Sequence, residues 1–515
     1  MGDVTRLVFA LLLLAGCPSG DADGDGWDAP EDCDDADASV HPEATEVCGN
    51  GVDEDCDGGG LACRATGDVT PEGGWGGWSA SNFGAALAAP GDVDGDGFAD
   101  VLVGAPGDAT NGAGAGAAVL LFGSPSGFDP ERSITWRGAF GGDRLGSALA
   151  GADLDGDGAV DLVFGAPGNG VRDASVLDQG TGLAQGAAYL ALGPITAAGH
   201  EERAVDGLAA VRGPENACLG SALAATDGAL LVGAPCLGSE FIIHPHGNLP
   251  MVEDGPGAAA LFLAPDGERT LADADLRVDG DLDWDRLGAA VAFGGDGRIG
   301  IGAPDYHGAD WINLEATGRV LVYGADARGV LTPADAALRA VGACCGDAFH
   351  EALGATLAES WEGLVAGAPR LASDDAGGGA VRIDAPDGVV DGSNAGDWLA
   401  APEGRGGAAV AAGFDLDCDG VEDVALGAPD DATVGLRGGR VWVRYGGLTG
   451  YERLGSRPDE TLSVLPTNDN QQLGAALAVA DIDGDGCEEL LVGAPEARDA
   501  GPGAGAVRVV FSTGY

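Results

Sequence analysis

The sequence contains no lysine. All 25 of its basic residues are arginines, set against 83 aspartates and glutamates, for a formal net charge of −58. A surface this acidic repels nucleic acid and excludes that class of partner. Aromatics make up only 5%, and the six histidines are scattered, with only His244 and His246 close together. H-E-x-x-H, G-x-S-x-G and Walker phosphate loops are all absent, and with them the commonest hydrolase and nucleotide-binding signatures. Beyond residue 15 no apolar run is long enough to cross a membrane as a helix.

Glycine is abundant instead, 94 of 515 residues, alongside 45% hydrophobic residues. That combination supplies a substantial core and many tight turns, which points to turn-rich β structure. Extreme acidity without lysine also fits a salty habitat, a reading that needs no ligand.

The chain repeats itself. Residues 83–107 read FGAALAAPGDVDGDGFADVLVGAPG: a small-residue strand, an acidic loop, an apolar strand, then Gly-Ala-Pro. The unit recurs seven times, starting at Phe83, Leu145, Leu219, Leu287, Leu353, Gly406 and Leu473, about every sixty to seventy residues. A third strand such as GRVLVYG (318–324) and a more polar fourth complete each unit. Four short antiparallel strands cannot bury both faces alone, whereas radial packing of seven such sheets leaves only short edges. The fold class is therefore all-β, a seven-bladed β-propeller of four-stranded antiparallel blades. The last unit ends on its third strand, so the segment from about Val69 to Ala80 is expected to supply the missing fourth and close the ring.

Four units carry D-x-D-x-D-G-x-x-[DE]: Asp92, Asp94, Asp96, Asp100; Asp153, Asp155, Asp157, Asp161; Asp415, Asp417, Asp419, Asp423; and Asp481, Asp483, Asp485, Glu489. Carboxylates at positions 1, 3, 5 and 9, with the carbonyl of position 7, converge on one hard cation because the glycine at position 6 permits a sharp turn. Calcium suits this all-oxygen set better than magnesium, which keeps an octahedral, water-rich shell. About four calcium ions are expected in the propeller, with a mainly structural role. Good turn-forming by Asp and Gly is the alternative, but it does not call for a carboxylate at position 9. Units three to five depart from the pattern, with Thr226-Asp227-Gly228, Gly294-Gly295-Asp296-Gly297 and Glu359-Ser360-Trp361-Glu362, and no calcium is expected there. In the sixth unit Cys418 replaces the glycine of position 4.

These units resemble FG-GAP repeats, those of the seven-bladed propeller of integrin α subunits and of many bacterial surface proteins. The resemblance covers roughly residues 69–515. It implies calcium loops on one face and a ligand face made by the loops after the second and fourth strands. The loops after Gly-Ala-Pro carry Arg172, Phe241, His244, His246, Tyr306, His307 and Trp311, aromatic and arginine side chains of the kind that anchor interfaces.

The N-terminus, MGDVTRLVFALLLLAGC, reads as a signal peptide too short to span a membrane. Its end, Leu14-Ala15-Gly16-Cys17, resembles the lipobox of bacterial lipoproteins, which implies a lipid on Cys17 as the sole membrane attachment. Residues 18–62 resemble a metal-binding motif named after MopE. A module of this size needs metal and disulfides to hold it. Asp21, Asp23 and Asp25 are candidate ligands, and Cys33, Cys48, Cys56 and Cys63 provide two bridges whose pairing is not readable. Copper suits the motif's namesake, but His41 is the only imidazole here, so calcium is preferred. An acidic tether is the alternative reading. The domain order is thus 1–17 signal peptide, 18–62 small metal- and disulfide-held module, and 63–515 propeller.

Among the remaining cysteines, Cys218 and Cys236 flank a predicted hairpin and are expected to pair. Cys344 and Cys345 are neighbours of undecided state. Cys418 and Cys487 lie in acidic loops of adjacent blades, a separation read as too large to bridge. The functional expectation is a non-enzymatic, calcium-binding propeller, lipid-anchored to the bacterial outer membrane or cell surface, that engages an extracellular protein or glycan. A secreted hydrolase with an active site in the central channel is one alternative. A structural or metal-sequestering surface protein is the other.

Overall fold

The computed structural model describes Trp27 and residues 67–69, 73–76, 78, 80–125, 127–169, 184–243, 250–253, 255–306, 317–342, 352–361, 363–369, 378–383, 388–391, 398–401, 405–446, 451–454, 461–498 and 501–510. The chain divides into residues 1–64 with 513–515, and a larger unit, Ala65–Ser512. The larger unit is the propeller.

Blade 1 runs Ala86–Gly91, Asp100–Ala105, Ala117–Ser124 and Gly127–Arg137, each strand antiparallel to the last. Blades 2 to 7 open with Leu149–Ala152, Leu223–Thr226, Ala290–Phe293, Thr356–Ser360, Ala409–Phe414 and Leu477–Ala480. These first strands surround the central channel, where a cavity of about 240 Å³ is lined by Ala, Leu and Val from all seven blades and by Thr356. Their small residues are what a crowded axis demands. The second strands are the apolar runs, buried along their whole length. The core lies between blades: Leu102, Phe122 and Trp136 of blade 1 pack with Leu162, Phe164 and Tyr189 of blade 2.

Two glycines per unit set the blade spacing. A Cβ on the glycine of any Gly-Ala-Pro (Gly104, Gly165, Gly233, Gly302, Gly367, Gly427, Gly493) would sit 2.0–2.3 Å from the carbonyl oxygen of the glycine opening the next blade's first strand. The last contact runs from Gly493 of blade 7 to Gly84 of blade 1. Close backbone approach, repeated seven times, closes the circle.

The closing strand is where the sequence placed it. Gly73–Gly76 pairs antiparallel with Ala506–Val510 of blade 7, Trp75 opposite Val507. Val101, Val103 and Leu121 of blade 1 then pack with Leu491, Val507 and Val509 of blade 7.

All seven blades have the four antiparallel strands expected, and in six of the sheets a fifth strand adds in parallel at the outer edge. His200–Ala204, which precedes the fourth strand of blade 2, pairs with the fourth strand of blade 1, and the same handover links each of blades 2 to 5 to the next. Gly67–Val69 does this for blade 6 before the chain reaches blade 7. The added strands are short, from the polar HEERA and RT to the apolar GVL and GVVD, and cover an otherwise open edge.

Candidate metal centres

Each acidic loop joins the first and second strands of its blade and is shaped by its own carboxylates. Asp92 accepts hydrogen bonds from the N–H groups of Gly95 (2.7 Å), Asp96 (3.0 Å) and Gly97 (2.8 Å), winding the loop around position 1. Asp153 repeats this with Gly156, Asp157 and Gly158, Asp415 with Asp419 and Gly420, and Asp481 with Gly484 and Gly486.

Position 9 is fully buried in all four loops. Asp100 accepts from Val93 N–H (2.8 Å) and, across the sheet, from Gly123 N–H (3.0 Å). Asp161 and Asp423 bond to Leu154 and Gly193, and to Leu416 and Gly446, and Glu489 accepts from Ile482 N–H. This carboxylate therefore ties its loop to the β-sheet, and in blades 2, 6 and 7 it also belongs to the carboxylate cluster. Burial pushes Asp100 and Asp423 up to about 7 and Glu489 up to about 8, and it raises Asp161, with the neighbouring loop aspartates adding to the shift.

Ligand atoms of three carboxylates lie within 4.8 Å of one another in each loop: Asp92, Asp94 and Asp96; Asp153, Asp155 and Asp161; Asp415, Asp417 and Asp423; Asp481, Asp483 and Glu489. Asp100 of the first loop and Asp157, Asp419 and Asp485 of the others stand outside these trios. Three carboxylates this close repel one another unless a cation lies among them. The donors are all oxygen, the set for a hard cation, and Asp94 Oδ1 is buried without a hydrogen bond. The residues fit a divalent ion. At blade 1 the Arg132 guanidinium also reaches the loop, donating to Asp94 and, at 2.9 Å, to Asp96, while its Nε bonds Asp129.

The four loops belong to blades 6, 7, 1 and 2, which are consecutive around the ring, and the blade 7 loop touches those of blades 6 and 1. Asp415 N–H donates to Glu488 (2.9 Å), and Ala99 N–H to the Asp481 carbonyl (3.1 Å). Cys418 and Cys487 are disulfide-bonded, Cα–Cα 5.8 Å, which corrects the expectation that they lie too far apart. Position 7 of one loop meets position 4 of its neighbour, a proximity that sequence spacing does not reveal. Cys218 and Cys236 are bonded as expected, Cα–Cα 5.4 Å.

Blades 3 to 5 use other devices here. Thr226 to Gly228 forms a tight turn whose Gly228 N–H bonds the Asp153 carbonyl of blade 2. In blade 5, Ser360 and the Trp361 N–H bond buried Glu422 of blade 6, which Arg382 also contacts. Glu422 escaped the sequence reading because its role depends on the adjacent blade.

Of the ligand-face candidates, Tyr306 carries the guanidinium of buried Arg319 4.3 Å from its ring centre, and Arg319 donates to Asp281 (2.6 Å) and Asp285 (2.7 Å). Burial raises Asp285 to about 7 against the opposing pull of Arg319. Phe241 lies in Glu240–Ile243, which forms a separate hairpin with Pro250–Glu253. Arg172, His244, His246, His307 and Trp311 lie outside the described residues, as do Cys17, Asp21, Asp23, Asp25, Cys33, Cys48, Cys56, Cys63, Cys344 and Cys345.

Comparison with known proteins agrees with this geometry. The FG-GAP repeat model matches residues 83–121 and 473–510, the repeats that meet at ring closure, and the Cu-binding MopE metal-binding motif matches residues 32–60. The chain is 41% identical over 112 residues to phosphatidylinositol-glycan-specific phospholipase D of Rattus norvegicus, covering 22% of this chain and 13% of that protein. It is 36% identical over 120 residues to integrin alpha-5 of Xenopus laevis (22% and 11%), and 46% identical over 92 residues to human integrin alpha-X (17% and 8%). The matched region thus spans about an eighth or less of these relatives. The sequence thus encodes a seven-bladed propeller with FG-GAP repeats at residues 83–121 and 473–510, and carries a MopE-like metal-binding motif at residues 32–60.

Proposed function

We propose that the protein is a calcium-binding propeller displayed at the cell surface, where it serves as a binding module for a protein or glycan. The observation that carries this is the set of four acidic loops on consecutive blades, each with three carboxylates within 4.8 Å and a buried ninth-position carboxyl. Calcium supplies the positive charge that lets these groups ionise together. The chain's own residues position them: the glycine turns set the loop, and position 9 ties it to the sheet. A stiffened, cation-filled face leaves the opposite loops to vary in length and carry the ligand contacts.

The channel supports binding over hydrolysis. Glu359 is the one carboxylate among the described residues lining two cavities along it, and hydrolysis of a glycoside by a carboxylate pair needs two. The likeness to phospholipase D covers 13% of that protein and leaves its remainder unmatched. Lipid attachment through Cys17 and residence at the bacterial surface complete the proposal, with the N-terminal motif as a further metal site.

The test is a glycan array and a panel of extracellular matrix proteins, probed with the full chain in calcium and in chelator. The proposal expects calcium-dependent binding that is lost when Tyr306 and Trp311 are both changed to Ala. Binding indifferent to those changes would move the ligand surface elsewhere. Turnover of polysaccharides or phosphoesters would replace the binding role with a catalytic one.

A further inference from the structure

The acidic loops of blades 1, 2 and 7 have glycine at position 4, with left-handed backbone: Gly95 at φ +80°, Gly156 at +79° and Gly484 at +78°. Blade 6 places Cys418 there at φ +56°. A side chain in this region is strained and persists only where its surroundings hold it. Cys418 is disulfide-bonded to Cys487, position 7 of the blade 7 loop.

Position 7 is the residue whose main-chain carbonyl faces the cation in loops of this kind. The disulfide therefore joins a ligand-bearing residue of one site to the residue between Asp417 and Asp419 of the next. A second link runs beside it, from the N–H of Asp415, position 1 of blade 6, to Glu488, the neighbour of Glu489 in blade 7. Blades 7 and 1 meet in the same way without a covalent bond: the Phe98 ring, position 7, lies over Gly484, position 4, where a Cβ would approach to 2.8 Å. Contact between positions 7 and 4 is thus a product of the ring geometry, and blades 6 and 7 make it permanent.

We infer that Cys418–Cys487 and Glu488 couple the cation sites of blades 6 and 7, so that filling one raises the affinity of the other. The inference rests on the calcium reading of the loops. An ion in blade 7 fixes the Cys487 carbonyl, and the disulfide passes that order to Cys418 and the ligands on either side of it. The second ion then finds a loop already arranged. Reciprocity requires the same benefit in the other direction.

The test uses the full chain carrying Asp92→Ala and Asp153→Ala, titrated with calcium alone by calorimetry. A chain with Asp415→Ala and Asp481→Ala added supplies the baseline for uptake elsewhere. We expect two ions bound with a Hill coefficient near 1.5 or higher, falling to about 1 when Cys418→Ser and Cys487→Ser are added, with Glu488→Gln intermediate. Asp481→Ala alone in that background keeps the disulfide, so it reads the coupling even if the cysteine variant fails to fold. It should weaken the remaining blade 6 site at least about fivefold. Two ions bound independently, with the blade 6 affinity indifferent to Asp481→Ala, would overturn this inference and leave the calcium reading standing. No uptake above the baseline would overturn both.

Discussion

Lowering the pH from 8 to 5 in the presence of chelator should stabilise the propeller. Asp100 and Asp423, at about 7, and Glu489, at about 8, hold protons in the folded chain that they release near 4 when unfolded. A carboxyl raised in this way contributes stability that is complete below its unfolded value and lost as the pH rises through its folded one. Each such group is worth about 1.4 kcal/mol per pH unit between those limits. For Asp100 and Asp423 between pH 7 and 5, this amounts to about 5 kcal/mol as an upper figure. Across the 65–512 unit an unfolding entropy of about 2 cal/mol/K per residue turns that into a rise of about 6 °C. Calcium needs the same carboxylates ionised, so its own stabilisation should be largest at pH 8 and small at pH 5. Thermal melts by circular dichroism at half-unit pH steps, with calcium and with chelator, read both trends. Two parallel curves would refute the reasoning, because they would mean that protons and calcium do not compete for these groups.

Gly302→Ala places a Cβ 2.1 Å from the Gly354 carbonyl oxygen, where ordinary contact begins near 3.4 Å, so backbone must yield by about 1 Å. It should lower stability by about 3 kcal/mol or more, seen as a lower urea midpoint at unchanged slope. Deleting residues 67–76 removes the outer strands of blades 6 and 7 and bares the edges at Thr461–Val464 and Ala506–Val510. The shortened chain should melt earlier and self-associate in sedimentation runs, and unchanged behaviour would contradict the closure described here. Arg319→Met leaves Asp285 buried among Asp281, Asp283 and Asp305 without its cation, which pushes it above its present value of about 7. A loss of about 3 kcal/mol is expected at pH 9, shrinking as the pH falls towards 7 and the variant's Asp285 takes up its proton, measured by urea melts at pH 9 and 6.

Seven registered units, the propeller and its closing strand were legible because each leaves a local mark: alternating glycine, an apolar run, Gly-Ala-Pro, and a seventh unit short by one strand. The trios of loop carboxylates were legible for the same reason, since positions 1 and 3 with 5 or 9 all fall within one nine-residue loop. What was hidden depends on neighbouring blades. HEERA is polar and brief, and nothing in it says that it will pair in parallel with a strand some seventy residues earlier. Cys418 and Cys487 are 69 residues apart, and only the angle between blades brings position 7 of one loop onto position 4 of the next. Position 9 had a second role that spacing could not show, because Gly123, its partner across the sheet, lies at the far end of the next strand.

The most direct test of the account is a count of bound calcium. Native mass spectrometry of the full chain, equilibrated with calcium and separately with magnesium, should show calcium retained and the count falling by one for each of Asp92→Ala, Asp153→Ala, Asp415→Ala and Asp481→Ala. A count unchanged by all four substitutions, or magnesium held equally well at these loops, would mean that the carboxylates serve as turns alone and would contradict the calcium-binding propeller.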